Sequence, residues 1–168
     1  MKNIVLYRIL GILINIVCFL IAINLLLSIP LLLSQPFFLL FFFILFCVVL
    51  YAWFANSFYK KIILQDLTVK KKMKEWLLVN ALVSFVFSLI IIIPGITLLS
   101  DPDPFFKSLD SLMKQSGASS IGLSNEQARR IAIGELWFLV IFCVVLSIHI
   151  IWTYKLVKKK NDHFVDEA

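Results

Sequence analysis

The sequence predicts an all-α polytopic membrane protein with four transmembrane helices. Three observations carry that prediction. The 168 residues are 61% apolar and only 15% charged, whereas a soluble domain is about half apolar and about a quarter charged. Mean hydropathy is +0.98, so the chain lacks the polar cover that water requires, and lipid must solvate most of its surface. The apolar residues also gather into four continuous runs of about 20 residues, the length a helix needs to cross roughly 30 Å of hydrocarbon. Continuous runs exclude a strand barrel, whose segments alternate lipid-facing and lumen-facing residues. The same composition excludes a cytosolic enzyme, a secreted disulfide scaffold and a disordered chain.

The first span is read as residues 9–27. No small-residue cleavage site follows it, only Ser28-Ile29-Pro30, so it is expected to remain as a span and not to act as a cleaved signal peptide. An uncharged hairpin loop over 28–36 leads to Pro36, placed where a helix start tolerates proline. The second span is 37–58. The connection over 60–75 carries six lysines against Asp66 and Glu75, and its Ile62-Ile63-Leu64 patch is expected at headgroup level. Within it Lys70, Lys71, Lys72 and Lys74 are expected to contact anionic lipid. The third span is 76–99, with Pro94-Gly95 expected to break it before its end.

The connection over 100–133 is too long to be an idle loop. Asp103 suits a cap, Pro104 a first helical position, and Phe105, Phe106, Leu109, Leu112 and Met113 then recur at helical spacing, which predicts a short amphipathic helix. Residues 117–122 read as a break, and Ser124 with Gln127 as a capping box that opens the last helix. The fourth span is 134–154, and since only Gly134 interrupts 125–160, it should project beyond the hydrocarbon. Arg129 and Arg130, with Phe105 and Phe106, form a candidate outer contact; pairing with Glu126 and Glu135 is the plainer role for the arginines. A tail over 155–168 completes what is read as a single membrane domain, 1–168.

Twelve of the sixteen basic residues flank the spans on one side, and only Lys107, Lys114, Arg129 and Arg130 lie on the other. The positive-inside rule therefore places both termini in the cytoplasm. Tyr7, Trp53 with Tyr59, Trp76, and Trp152 with Tyr154 put aromatic rings at that same end of every span, as interfacial anchors would. The net charge of +6 is thus read as topology and lipid contact, not as nucleic-acid binding.

Phe46-Cys47-Val48-Val49-Leu50 recurs as Phe142-Cys143-Val144-Val145-Leu146, and Asn15 with Pro30 is echoed by Asn80 with Pro94. These words suggest a parallel duplication of a two-helix hairpin.

A polar side chain inside a span is a candidate site by default. Asn80, Ser84 and Ser88 share one helix face, expected to donate hydrogen bonds to a neighbouring helix. Asn15 and Asn24 point to opposite faces. His149 is the one group inside the spans that titrates near neutrality, and a hydrogen bond to an Asn, a Ser or a carbonyl of a neighbouring helix is its expected role. Together His149, Asn80, Ser84, Ser88 and Asn15 form the candidate intramembrane site. Cys18, Cys47 and Cys143 form no metal-ligand pattern, no catalytic motif is present, and no carboxylate lies deep in a span. The expected function is non-enzymatic and free of cofactors or metals: a structural or interaction component of a bacterial cytoplasmic membrane, as a homo-oligomer or beside a membrane-protein partner. The alternative is a small channel or carrier for a neutral or apolar solute, sited between the hairpins.

Overall fold

A computed structural model of the chain describes residues 2–30, 38–116 and 125–165. Four helices in it are long and apolar enough to cross a membrane. In chain order the elements are α1 (Lys2–Leu27), α2 (Leu39–Phe58) continued by a wide π-helical turn (Tyr59–Leu64), β1 (Val69–Lys70), α3 (Lys71–Ser100), α4 (Asp103–Ser116), α5 (Asn125–Lys159), a 3-10 turn (Asn161–His163) and β2 (Phe164–Val165). No more than 28% of any of the four apolar windows is buried. Many of the other side chains are exposed, with Leu27 74% and Trp53 70% exposed, an apolar surface larger than a water-soluble chain leaves uncovered.

The helices outrun the expected spans. Propensity carries α1 back to Lys2 and α3 back to Lys71, because no breaker stands between the flanking charges and the apolar run. The last helix runs unbroken from Asn125 to Lys159, as the absence of breakers predicts. The hairpin loop before α2, the 117–122 break and the Ser124 cap fall on or across residues outside those described.

Pro94-Gly95 does not break the third helix, contrary to expectation: α3 continues through it to Ser100. Proline removes one ladder bond, and hydroxyls in the following turns donate to carbonyls on either side of it. Thr97 Oγ1 donates to Ile93 O at 3.2 Å, and Ser100 Oγ donates to Ile96 O at 2.8 Å. Gly95 has a packing role instead, since a Cβ there would stand 2.5 Å from Val140 Cγ2.

Contacts divide the chain into two units, residues 1–88 with 145–168, and residues 89–144. The first unit gathers α1, α2, the early part of α3 and the late part of α5. Its buried residues recur at steps of three, four and seven: Tyr7, Ile14, Cys18 and Leu25 on α1; Val48, Tyr51, Ala55 and Phe58 on α2; Leu77, Ala81, Ser84 and Ser88 on α3; Leu146, His149, Thr153 and Val157 on α5. Those steps draw one stripe along each helix. Ile62 is fully buried, because the wide turn after Phe58 keeps Tyr59 and Ile62 facing inward while Lys60 and Lys61 face out. The two copies of the Phe-Cys-Val-Val-Leu word differ in burial, with Phe46 exposed and Phe142 buried.

At the lysine-rich end, β1 and β2 pair in parallel, Val69 against Phe164 and Lys70 against Val165. Asp66, in the left-handed region at φ 52° that Asp tolerates better than most residues, accepts from Lys160 Nζ at 2.6 Å and His163 Nε2 at 2.9 Å. Lys74 Nζ donates to Asn161 Oδ1 at 2.7 Å, and Phe164 stacks on Phe58 with centroids 6.2 Å apart. This clasp ties the tail to the connection after α2.

In the second unit Arg129 pairs with Asp103 and covers the Phe106 ring at 5.0 Å. Arg130 pairs with Glu126 at 2.6 Å one turn away. The expected pairing is therefore right for Arg130 and Glu126 but not for Arg129, whose partner is Asp103 and not Glu135.

Two outcomes follow. Leucine at Gly95 collides with Val140, so Gly95→Leu should lower unfolding stability in detergent by about 1–3 kcal/mol, and Val140→Ala in the same chain should recover much of the loss. Lys160, then His163, hold the Asp66 carboxyl below the usual carboxylate range. A lowered carboxyl stabilises above its unfolded value and loses that contribution as pH falls through the folded one. Amide exchange at Val69 and Phe164 should accordingly stay slow from neutrality down into the ordinary carboxylate range and quicken only below it, whereas Asp66→Asn should quicken it already at neutral pH.

Candidate functional site

Helical periodicity brings four polar side chains together inside the first unit: Tyr7 from α1, Tyr51 from α2, and His149 and Thr153 one turn apart on α5. All four are at most 2% exposed. Thr153 is the hub. Its Oγ1 lies 3.0 Å from Tyr7 OH, 3.0 Å from Tyr51 OH and 2.8 Å from the carbonyl oxygen of His149. Tyr51 OH stands 2.7 Å from His149 Nδ1. The Tyr7 ring stacks on the imidazole, centroids 4.5 Å apart and planes 10° from parallel.

Counting protons orients the cluster. A carbonyl only accepts, so the Thr153 proton goes to His149 O, and Thr153 Oγ1 must accept from both tyrosines. The single Tyr51 proton is then used, so Tyr51 oxygen accepts from His149, and Nδ1 is the protonated ring nitrogen. Four protons fill four bonds. Nε2 is left as a bare acceptor on the side of Gly11, where a Cβ would approach it at 3.3 Å.

Beside the imidazole lies a groove of about 510 Å³ between α1, α2 and α5. His149, Asn15, Asn56, Arg8 and Lys60 contribute polar groups, and Ile12, Ile16 and Phe19 form an apolar wall. The groove thus unites two members of the expected intramembrane site, His149 and Asn15. The other three lie elsewhere. Asn80, Ser84 and Ser88 are buried on α3, but they do not donate across to a neighbouring helix as expected. Asn80 Nδ2 donates to Trp76 O at 2.7 Å and Ser88 Oγ to Ser84 O at 2.8 Å, each on its own helix. Ser84 Oγ has no partner among the described residues. Asn15 likewise donates to Gly11 O, at 2.7 Å, and Asn24 to Leu20 O, at 2.9 Å.

His149 meets a tyrosine and a threonine, not the Asn, Ser or neighbouring carbonyl expected of it. Tyr7 is a correction too. Read as an interfacial anchor, it is buried with its hydroxyl on Thr153, whereas Trp53, Trp76 and Tyr154 remain exposed. Tyr51 was missed altogether. The available signal was its depth, since a hydroxyl in the middle of an apolar run needs a partner there.

Cys18, Cys47 and Cys143 are all buried. Among the described residues no cluster of His, Cys, Asp and Glu is grouped to hold a metal ion. Of the remaining candidates, Phe105 is exposed and Phe106 lies under Arg129. Lys70, Lys71 and Lys72 are exposed, and Lys74 joins the clasp. Comparison with known protein families, characterised proteins and solved structures finds no match to this chain.

Thr153→Val keeps the shape of the hub and removes its hydroxyl. It should lower unfolding stability by about 1–3 kcal/mol, the cost of leaving buried hydroxyls short of a partner. In the parent protein the ¹⁵N spectrum of His149 should show Nδ1 protonated and Nε2 bare, and the variant should lose that single-tautomer pattern. A parent spectrum with Nε2 protonated would refute the proton order.

Proposed function

We propose that this chain is an integral protein of a bacterial cytoplasmic membrane, with both termini in the cytoplasm, that works by contact and not by catalysis. It is a structural or interaction component. The observation that carries this reading is the division of its surface from its interior: four span-length helices leave most of their apolar side chains outside, while Tyr7, Tyr51, His149 and Thr153 turn inward and use their protons on one another. That pairing gives His149 an architectural task.

On this reading the exposed lysines Lys70, Lys71 and Lys72 face anionic headgroups at the cytoplasmic surface, each contributing about 1 kcal/mol. Helix α4, in the connection read as outer from the charge pattern, is a short amphipathic element. There Phe105 is available for a membrane-protein partner or a second copy of the chain, and Arg129 is engaged by Asp103 and Phe106. A small channel or carrier for a neutral or apolar solute is the second reading, supported by the groove at His149 and Asn15. The separation of Asn80, Ser84 and Ser88 from that groove weighs against it, because they do not extend its polar lining.

Membrane fractions and labelling test the first reading. The chain should resist alkaline carbonate extraction. Lys107→Cys should react with an impermeant maleimide in intact cells, and Lys158→Cys only after lysis. Extraction by carbonate overturns the integral placement, and the reverse labelling overturns the orientation.

A further inference from the structure

We infer that the groove between α1, α2 and α5 is a binding site for one anionic phospholipid of the surrounding bilayer, its phosphate held by Arg8 and Lys60 and an acyl chain laid along α1. This rests on the chain spanning the membrane with its lysine-rich end at one surface. Shape is the first argument. Arg8, Ile12, Ile16 and Phe19 follow one another at helical spacing along the groove, over about 16 Å of helix. Ile12, Ile16 and Phe19 are exposed, so the groove opens sideways to the surroundings and a lipid enters it without crossing protein. Gly11 and Ala52 supply a floor without bulk. The volume of about 510 Å³ falls within the roughly 300–1,000 Å³ typical of small-molecule sites.

Charge is the second argument. Arg8 and Lys60 stand at one end of the groove and no carboxylate lines it. Neither has an ion-pair partner among the described residues. Two cations at the mouth of an apolar channel match an amphiphile with an acidic head; guanidinium with ammonium suits a phosphate in particular. The bare Nε2 stands beside Gly11, which follows Arg8 by about one turn of α1, and accepts from a hydroxyl on the head or backbone of the lipid. A zwitterionic lipid brings its own cation to the same mouth and binds less well.

The test is native mass spectrometry of the full chain in detergent, with phosphatidylglycerol and phosphatidylcholine supplied in equal amounts. The parent protein should keep phosphatidylglycerol preferentially. Arg8→Gln with Lys60→Gln should lose that retention by about fivefold for each charge removed, at unchanged helicity and unfolding temperature, whereas Lys155→Gln with Lys158→Gln should keep it. Equal retention of the two lipids overturns the proposal, as does an unchanged Arg8/Lys60 double variant, an equal loss in the control, or equally tight binding of inorganic phosphate alone. A second arm needs no variant: phosphatidylglycerol with a photoreactive acyl chain should crosslink to residues 12–19 of the parent, and crosslinks confined elsewhere overturn the site. A chain that resists carbonate yet shows no lipid preference defeats this inference and leaves the membrane reading standing.

Discussion

Four protons and three acceptor oxygens meet around Thr153, and the arrangement of α1, α2 and α5 in the first unit depends on them. For helices in lipid, the placement proposed for this chain, the hydrophobic effect supplies no preference, since one apolar face suits hydrocarbon as well as another. Directional contacts must then choose which faces meet. Tyr7 and Tyr51 reach Thr153 from two different helices, and each distance of 3.0 Å fixes a rotation and a depth for the helix that carries it. The stack of Tyr7 on His149 adds a planar constraint that only a narrow range of helix rotations satisfies. Remaining contacts in the unit, such as Phe54 on Trp76 and Cys18 Sγ donating to Val48 O, fill the register that the cluster sets.

The helices were legible in the sequence because length and continuous apolarity depend on neighbours along the chain. What was not legible depends on neighbours in space. Pro94 reads as a break from local rules, but Thr97 and Ser100 reinforce the carbonyls around it, and Gly95 lets Val140 approach closely. Tyr7 and Tyr59 look like interfacial rings from their position at a span end, yet both are buried. The stripe of Asn80, Ser84 and Ser88 was placed on one face correctly, but periodicity does not say whether a hydroxyl turns to its neighbour or to its own preceding turn. For the site, His149 and Asn15 were found as isolated polar residues, while Tyr51 escaped because an aromatic ring in an apolar run reads as core.

The basic residues divide in the same manner. Counting them assigns an orientation, but the count treats them as equivalent. Lys74 and Lys160 are held by Asn161 and Asp66, whereas Arg8 and Lys60 stand at the mouth of a groove that no acid lines. The net charge of +6 therefore comprises cations with different surroundings.

The clasp at the lysine-rich end has a consequence for assembly. Asp66 and Lys160 are 94 residues apart in sequence, with α3, α4 and α5 between them along the chain. Distant contacts of this kind close late, because the intervening chain has to be ordered first. The β1–β2 ladder is therefore a seal on the finished topology. A chain in which α3 and α5 have not yet docked would hold its tail away from Val69 and leave both short strands with unpaired edges.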